Sequence, residues 1–282
     1  MPDSPIVSPE WLHEHLGDPH IKVLDASWYL PGDPRDPQAE FLEARIPGAA
    51  FFDIDAIADH DDPLPHMVPS PEAFALAVEQ LGVSTEDTVV VYHAAELVTA
   101  PRAWWMFRLF GHGKVFVLDG GLRRWRAEGR PVEHGPWATP DLGRFTPNLD
   151  AVLLKTMSEV RGSLDDAAVQ VVDARPAARF TGEAVEPRPG MRSGHMPGAI
   201  NLPAQGLNHA DGSFLRGEAL EQAVREAGID PSRPVVASCG SGISACSIAL
   251  ALAELGHWDT AIYDGSWTEW GARTDTPVVA GP

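Results

Sequence analysis

Basic residues and long apolar runs are both scarce in this sequence, and each scarcity excludes a class of protein. Lysine and arginine number 21 against 40 aspartates and glutamates, a formal net charge of −19 over 282 residues. That sign opposes attraction to nucleic-acid phosphates or anionic lipid, so we expect neither as a partner. The longest nearly uncharged apolar run, residues 243–253, has 11 residues, whereas a membrane span needs about 20. Residues 1–10 do not predict a signal peptide, and we expect a cytoplasmic protein.

Cysteine is scarce as well. Only two occur, Cys239 and Cys246, seven residues apart. One pair at this spacing is neither a disulfide framework nor a zinc-binding pattern, so each cysteine is expected to be reactive or simply buried.

Two copies of one unit make up the chain. Three segments of the first half recur in the same order in the second, at offsets of 145 to 150 residues: 23–26 at 171–174, 46–49 at 196–199, and 118–125 at 263–270. Between the copies, residues 134–150 contain proline and glycine without apolar periodicity, which predicts an exposed connector with a boundary near residue 145. We therefore predict an N-terminal domain, residues 1–140, and a C-terminal domain, residues 150–282.

Within each copy, short apolar runs alternate with segments of helical pattern. The runs predict strands buried on both faces of a parallel sheet, at 22–25, 89–92, 115–118, 169–173, 235–237 and 261–263. The segments between the runs, with start and stop signals such as Ser70, Pro71 and Gly256, predict helices at 70–81, 100–110, 218–227 and 243–255. Five tryptophans lie in or beside these helices and are expected in the core: Trp104, Trp105, Trp125, Trp267 and Trp270. The predicted fold class is α/β, with two tandem domains that each have a mainly parallel sheet and helices on both faces.

The loop after the strand at 235–237 holds a candidate nucleophile, because ligands in such sheets bind where strands end. Cys239 stands there before a helix, in the sequence Cys-Gly-Ser-Gly-Ile-Ser. The glycines let backbone N–H groups turn inward and the helix N-terminus adds its dipole, so we expect a thiolate at Cys239. A cysteine buried for structural reasons is the alternative. The offset of 145 places Ala94 opposite Cys239, which predicts a first domain without a catalytic cysteine. Cys246 is interpreted as an apolar filler of the helix.

A phosphatase is a second chemistry to consider for a cysteine at a helix N-terminus. Cysteine phosphatases need an arginine six residues after the nucleophile to hold the phosphoryl oxygens. Ala245 occupies that position here. The loop therefore favours attack at sulfur over attack at phosphorus.

Several of these features together resemble the tandem-domain rhodanese sulfurtransferases across nearly the whole chain. They are the duplicated unit, the paired Asp-Gly…Trp segments, Arg179-Phe180, the Gly-His-Met-Pro-Gly stretch at 194–198 and the Cys239 loop. The sequence Cys-Gly-Ser-Gly is similar to the 3-mercaptopyruvate branch, whereas the thiosulfate branch usually has basic residues after the cysteine. Ile243 and Ser244 replace the more frequent valine and threonine, which keeps size and hydroxyl. The resemblance implies two rhodanese-like domains, with Gly240, Gly242, Ile243 and Ser244 in the substrate-binding loop.

A cluster of arginines is an independent signal for an anionic substrate. Residues 175–192 contain four, Arg175, Arg179, Arg188 and Arg192, where the average density of basic residues predicts about one. Arginine holds a planar carboxylate bidentately, so a 2-keto acid is a suitable ligand. The resemblance implies that Arg179 and Arg188 grip the substrate carboxylate. We interpret Arg175 and Arg192 as partners of acidic residues.

A proton relay is also implied by the resemblance. Asp55 and His66 are 11 residues apart and match an aspartate and a histidine that form a triad with the loop serine, here Ser241. A thiol substrate must lose its proton during attack at sulfur, and a serine activated through a histidine can accept one. Without the resemblance, Asp55 and His66 would be a loop carboxylate and a surface histidine, and that interpretation stays open.

The implied activity is a sulfurtransferase that moves sulfur from 3-mercaptopyruvate through a persulfide on Cys239 to thioredoxin, a small thiol or cyanide, and releases pyruvate. No metal or organic cofactor is expected. Thiosulfate as the donor is one alternative. A persulfide carrier or scaffold that turns over no small molecule is another, although Arg179, Arg188 and Ser241 favour an enzyme.

Overall fold

The computed structural model describes residues 3–94, 97–164, 166 and 168–282, so Ala95 and Glu96 of the first-copy loop lie outside the described residues. The chain divides into two compact units. The first comprises the chain up to Asp59, Val68–Asp150 and His209–Phe214, and the second comprises His60–Met67, Ala151–Asn208 and Leu215–Pro282. The segment 60–67 thus belongs to the second unit although it lies in the first half of the sequence.

Each unit is built on one five-stranded parallel sheet. The strands of the first are β1 (Ile6–Val7), β2 (Ile21–Asp25), β3 (Ala50–Phe51), β4 (Thr88–Tyr92) and β5 (Val115–Leu118), in the order β1-β5-β4-β2-β3. Those of the second are β6 (Leu154–Lys155), β7 (Gln170–Asp173), β8 (Ile200–Asn201), β9 (Val235–Ser238) and β10 (Ala261–Tyr263), in the order β6-β10-β9-β7-β8. All the named strands pair in parallel. The predicted α/β class is confirmed.

Around the sheets lie ten named helices of the described chain. They are α1 (Pro9–His15), α2 (Pro37–Glu43), α3 (Pro71–Gln80), α4 (Ala100–Leu109), α5 (Gly121–Ala127), α6 (Met157–Ser163), α7 (Ala177–Phe180), α8 (Gly217–Glu226), α9 (Ala245–Glu254) and α10 (Ser266–Trp270). All four predicted helices are present. Helix α3 begins as expected, because the Ser70 side chain accepts a hydrogen bond from the Ala73 N–H at 3.2 Å. Helix α9 begins two residues later than predicted, which leaves the whole segment 239–244 as loop.

The core of each unit packs on its sheet. Every residue of the central strands β4 and β9 is buried, as expected for strands covered on both faces. The five tryptophans expected in the core are at most 1% exposed. Trp125 packs with the first sheet, and Trp267 and Trp270 pack with the second.

Strand register corrects the predicted alignment of the two copies. Asp25 of β2 lies opposite Tyr92 of β4, and Asp173 of β7 lies opposite Ser238 of β9. The residue after Tyr92 is His93, so His93 and not Ala94 occupies the place of Cys239. The offset of 145 holds for β5 and β10, but the first unit has one more residue between its fourth and fifth strands, and the offset at β4 is therefore 146.

The connector is mostly exposed but not detached. Phe145 is buried, and its ring centroid lies 5.7 Å from that of Phe74 and 6.1 Å from that of Phe107. The Gly143 N–H donates to the Glu79 carbonyl at 2.8 Å. Residues 134–150 therefore pack onto the first unit, because the buried ring of Phe145 joins the aromatic side chains of α3 and α4.

None of the helices in the described ranges combines the length and the apolar composition that crossing a membrane requires.

Candidate active site

The loop that carries Cys239 is fastened to the last helix of the second unit. The Cys239 N–H donates to Ser266 Oγ at 3.1 Å, and the Cys239 carbonyl accepts from the Trp267 N–H at 3.0 Å. The next carbonyl, that of Gly240, accepts from the Thr268 N–H at 2.9 Å. Ser266 has a φ of 48°, in the left-handed region that non-glycine residues rarely adopt. These contacts fix the first two residues of the loop.

The Cys239 loop presents several backbone N–H groups as hydrogen-bond donors. Cys239 is 2% exposed and Ser241 is 6% exposed. Gly242 has a φ of 78°, a conformation available to glycine at low cost. Within the described part of the chain, no acceptor receives the backbone N–H groups of Gly240, Ser241, Ile243 or Ser244. Such a run of successive N–H donors beside a helix N-terminus suits an anion. The predicted loop residues thus lie together around Cys239.

Cys246 lies in the first turn of α9 and is fully buried. Its thiol donates to the Gly242 carbonyl, with Sγ 3.3 Å from the oxygen. Both cysteines are free thiols. The burial agrees with an apolar filler, and the hydrogen bond adds a contact with the loop that the sequence did not indicate.

The buried Arg175 is paired with carboxylates, as predicted. Its Nη2 lies 2.7 Å from Asp173 Oδ2, its Nη1 lies 2.8 Å from Glu186 Oε1, and its guanidinium stacks 4.1 Å above the Trp267 ring. Burial opposes the charged form, but the attraction of Asp173 and Glu186 outweighs it and raises the pKa of Arg175 above its ordinary value. Arg175 therefore keeps its charge.

Arg192 has a structural role too, but the prediction of an acidic partner is wrong. Its guanidinium donates to the carbonyls of Trp270, Gly271 and Thr276 at 2.9 to 3.1 Å, and also to Thr276 Oγ1. The turn after α10 leaves these carbonyls without helical partners, and a five-donor guanidinium satisfies several at once.

Arg179 lies against the Cys239 loop. A Cβ added at Gly240 would stand 3.1 Å from Arg179 Nη2. The Nε of Arg179 donates to Glu186 Oε2 at 3.1 Å, and Nη2 donates to the same oxygen. Glu186 is not among the residues predicted from the sequence, although its place within a cluster of four arginines is a sequence signal for such a pairing.

His66 meets a predicted substrate-binding residue. Arg188 Nη2 and His66 Nε2 lie 3.1 Å apart within the second unit. A guanidinium has donors only, so Nε2 of His66 is the acceptor in this contact. The sequence predicted roles for both residues but not that they touch.

Asp55 belongs to the first unit and is exposed. Its Oδ2 accepts from Trp28 Nε1 at 2.9 Å, and its backbone N–H donates to Asp53 Oδ1 at 3.0 Å. Its membership of a relay with His66 and Ser241 stays a prediction.

Across the residues that the structure describes, no group of three or more His, Cys, Asp or Glu side chains is arranged to hold a metal ion.

Comparison with known proteins gives consistent matches over most of the chain. The Rhodanese-like domain family matches residues 8–128 and again 156–273. The chain is 43% identical to the 3-mercaptopyruvate sulfurtransferase of Escherichia coli K12, over 96% of each chain. It is 45% identical to the thiosulfate sulfurtransferase of Gallus gallus, over 94% of this chain and 92% of the relative. The crystal structure of SseA, described as an Escherichia coli 3-mercaptopyruvate enzyme with the rhodanese fold, superposes with a TM-score of 0.85 at 39% identity, covering 94% of this chain and 99% of SseA.

Proposed function

The chain belongs to the rhodanese family of sulfurtransferases, and from that membership we propose that it transfers the sulfur of 3-mercaptopyruvate through a persulfide on Cys239. The proposal concerns the donor and the roles of the individual residues. Cys239 is the nucleophile, Arg179 and Arg188 hold the substrate carboxylate, and Ser241 and His66 handle the thiol proton.

The contact between Arg179 and the Cys239 loop is the observation that carries the donor assignment. Because Arg179 Nη2 would touch a side chain at Gly240, a carboxylate bound to Arg179 lies one residue from the nucleophile. A 2-keto acid with a thiol on the neighbouring carbon fits that short span. Gly240 and Ser241 themselves are neutral, so the charges of a thiosulfate dianion would find no cation on the two residues that follow Cys239.

In the first half-reaction the Cys239 thiolate attacks the sulfur of 3-mercaptopyruvate. A sulfur–sulfur bond forms, the carbon–sulfur bond breaks, and its electron pair goes to carbon as the enolate of pyruvate. The thiol proton is taken up by the protein and returned to the enolate carbon. The enzyme is left with a persulfide anion and the product is pyruvate, so charge and protons balance.

Ser241 and His66 are suited to carry this proton. His66 Nε2 accepts from Arg188 Nη2 at 3.1 Å, so this nitrogen has a lone pair directed at a group that binds substrate in the proposal. When the substrate carboxylate draws Arg188 toward itself, Nε2 becomes available to the Ser241 hydroxyl. The family resemblance adds Asp55 to this relay.

The persulfide is held by the loop. Four backbone N–H groups follow Cys239 in the loop, those of Gly240, Ser241, Ile243 and Ser244. Because such donors are already in place, they stabilise an anion without reorganisation. In the second half-reaction an acceptor thiolate or cyanide attacks the outer sulfur and restores the Cys239 thiolate. Thioredoxin and small thiols are the acceptors that the family implies.

One comparison on a single preparation tests the donor. Pyruvate release from 3-mercaptopyruvate is measured beside thiocyanate formation from thiosulfate and cyanide. We expect kcat/KM for 3-mercaptopyruvate to be at least about tenfold higher, a difference of about 1.4 kcal/mol in transition-state free energy. If thiosulfate is the better donor, the protein is a thiosulfate sulfurtransferase. If the protein turns over neither donor but still accepts a persulfide sulfur from a partner, it is a persulfide carrier.

A further inference from the structure

Glu186 joins two arginines that the sequence analysis treated separately. Its two carboxylate oxygens have different partners: Oε1 lies 2.8 Å from Arg175 Nη1, and Oε2 accepts from Nε and Nη2 of Arg179. The Glu186 side chain is 4% exposed, Arg175 is 1% exposed, and Arg179 is 18% exposed. With Asp173, these residues form a buried row of alternating charge, Asp173, Arg175, Glu186 and Arg179.

The inner end of this row is rigid. Arg175 makes ion pairs with Asp173, donates to the Gly194 carbonyl at 2.8 Å and stacks on Trp267. The Trp267 N–H in turn donates to the Cys239 carbonyl. Glu186 is therefore positioned by Arg175, which contacts the Cys239 loop through Trp267.

The outer end of the row determines which edge of Arg179 is exposed to a ligand. A guanidinium presents a side edge, Nε with Nη2, and an end edge, Nη1 with Nη2. Glu186 occupies the side edge. Among the described residues no acceptor receives a hydrogen bond from Nη1 of Arg179, and Nη2 lies 3.1 Å from the position that a Cβ at Gly240 would take.

We propose that Glu186 is a positioning residue for substrate binding, which holds Arg179 so that its end edge receives the substrate carboxylate beside Cys239. This role rests on the proposed 2-keto acid substrate. Glu186 touches no reacting atom and acts only through Arg179. Two parallel N–H groups match a planar carboxylate, so Glu186 favours a 2-keto acid over an uncharged thiol.

The direction of the effect distinguishes this role from simple charge masking. If Glu186 merely neutralised Arg179, its removal would strengthen the binding of an anion. If it orients Arg179, its removal allows the guanidinium to rotate among conformers that do not face the loop, and binding weakens. The two accounts therefore predict opposite changes in KM.

Glu186→Gln is the test variant, because a single amide oxygen cannot accept from both arginines while its NH₂ group faces one of them. We expect KM for 3-mercaptopyruvate to rise about tenfold, with kcat changed less than about threefold. KM for mercaptoacetone, which carries the same thiol and ketone but no carboxylate, should stay within about twofold. Glu186→Asp, which retains the charge on a shorter side chain, should recover part of the loss. Glu183→Gln is the matched control, an exposed glutamate of the same segment, and should change neither donor.

A double variant separates positioning through Arg179 from general damage to the fold. In an Arg179→Ala background, Glu186→Gln should add less than twofold to KM, because residues that act through one another are not additive. An unchanged or lower KM in Glu186→Gln, an equal rise for mercaptoacetone, or a full additional effect without Arg179 would each overturn the proposal.

Pyruvate binding, measured by calorimetry, gives a second test that does not depend on turnover. The unmodified protein should bind pyruvate about tenfold more tightly than Glu186→Gln. If the protein binds pyruvate with this difference but releases none from 3-mercaptopyruvate, the proposed function fails and the positioning role stands. If the unmodified protein binds no pyruvate, the positioning role is overturned as well.

Discussion

The two units share a backbone arrangement at the ends of their central strands but differ in the side chains placed there. In the second unit, Cys239 follows β9, and the neighbouring Asp173 is paired with Arg175. In the first unit, His93 follows β4, and the equivalent Asp25 accepts from the N–H of Ser27 at 2.9 Å and from its hydroxyl at 2.5 Å. Both aspartates are 1% exposed.

The two buried aspartates differ in their partners, because Asp173 has a cationic partner in Arg175 and Asp25 has a neutral one in Ser27. Burial raises the pKa of Asp25 to about 6 despite its hydrogen bonds with Ser27, and burial lowers the pKa of His93 to about 4. The first unit thus shifts its buried groups toward their neutral forms, and the hydroxyl of Ser27 accepts from the Ala94 N–H at 2.8 Å to support the loop. In the second unit, Asp173 pairs with Arg175, and Arg175 also pairs with Glu186, which accepts from Arg179. The duplicated fold therefore provides the same position twice, with a hydroxyl partner for the aspartate in one copy and an arginine partner in the other.

The largest expected difference between the units is in the chemistry of their loops. Cys239→Ser should lower sulfur transfer at least 1,000-fold, more than about 4 kcal/mol, because the hydroxyl is a far weaker nucleophile than a thiolate. Cys246→Ser should keep most of the activity, since a serine can make the same hydrogen bond to Gly242. Steady-state kinetics of both variants decides the point.

The first unit offers a control for this result. His93→Cys in the Cys239→Ser background places a thiol at the equivalent backbone position but without the glycine loop. We expect no recovery of transfer. Substantial activity in that double variant would mean that the backbone position alone suffices.

The next largest effect is on stability. Asp173→Asn leaves the buried Arg175 without its nearest charge partner, and the free energy of unfolding should fall by about 3 to 5 kcal/mol. Asp25→Asn retains an oxygen for Ser27 and removes a charge that burial disfavours, so at pH 7 it should leave the free energy of unfolding unchanged or raise it. Denaturant midpoints of the two variants, compared with the unmodified protein, give the answer. Equal losses would show that Arg175 does not distinguish the units.

A pH series sharpens the same comparison. The pKa of Asp25 is about 6 in the folded protein against 3.8 for the ordinary group, so between these values the folded state holds a proton that the unfolded state has lost. The contribution of Asp25 to stability is therefore fully present below pH 3.8, declines by about 3 kcal/mol as pH rises to 6, and is constant above. Asp25→Asn should lack this decline when unfolding is measured from pH 4 to 7. A parallel slope in both proteins would contradict the assignment.

The smallest expected effect comes from exchanging one methyl group between the loops. Gly240 and Ala94 are equivalent in the register of their strands. Gly240→Ala brings a Cβ to 3.1 Å from Arg179 Nη2, so the guanidinium must move by a few tenths of an ångström, and KM for 3-mercaptopyruvate should rise about two- to fivefold. Ala94→Gly should leave KM unchanged. Similar kinetics for both variants would remove the contact between Arg179 and the loop from the account of binding.

Sequence periodicity identified the elements that are long enough to show it. All six predicted strands and all four predicted helices are present, because runs of three or more buried residues and helices of ten residues leave a pattern. The edge strands β1, β3, β6 and β8 have two residues each and show none. Helices α7 and α10, with four and five residues, were likewise missed, although they hold Arg179 and anchor the Cys239 loop.

Chemistry encoded in adjacent residues was determined by the sequence alone. Two of these features are local patterns, the glycine loop at Cys239 and the four arginines between 175 and 192. The third is the repeat of one unit along the chain. All three can be recognised without knowledge of the fold. The tertiary structure decided which distant groups meet. Arg188 contacts His66 across 122 residues of sequence, Glu186 lies between Arg175 and Arg179, and His93 replaces Ala94 as the counterpart of Cys239. Such contacts depend on strand register and on the pairing of buried charges, and their energies are set by packing of the whole unit rather than by any short stretch of chain.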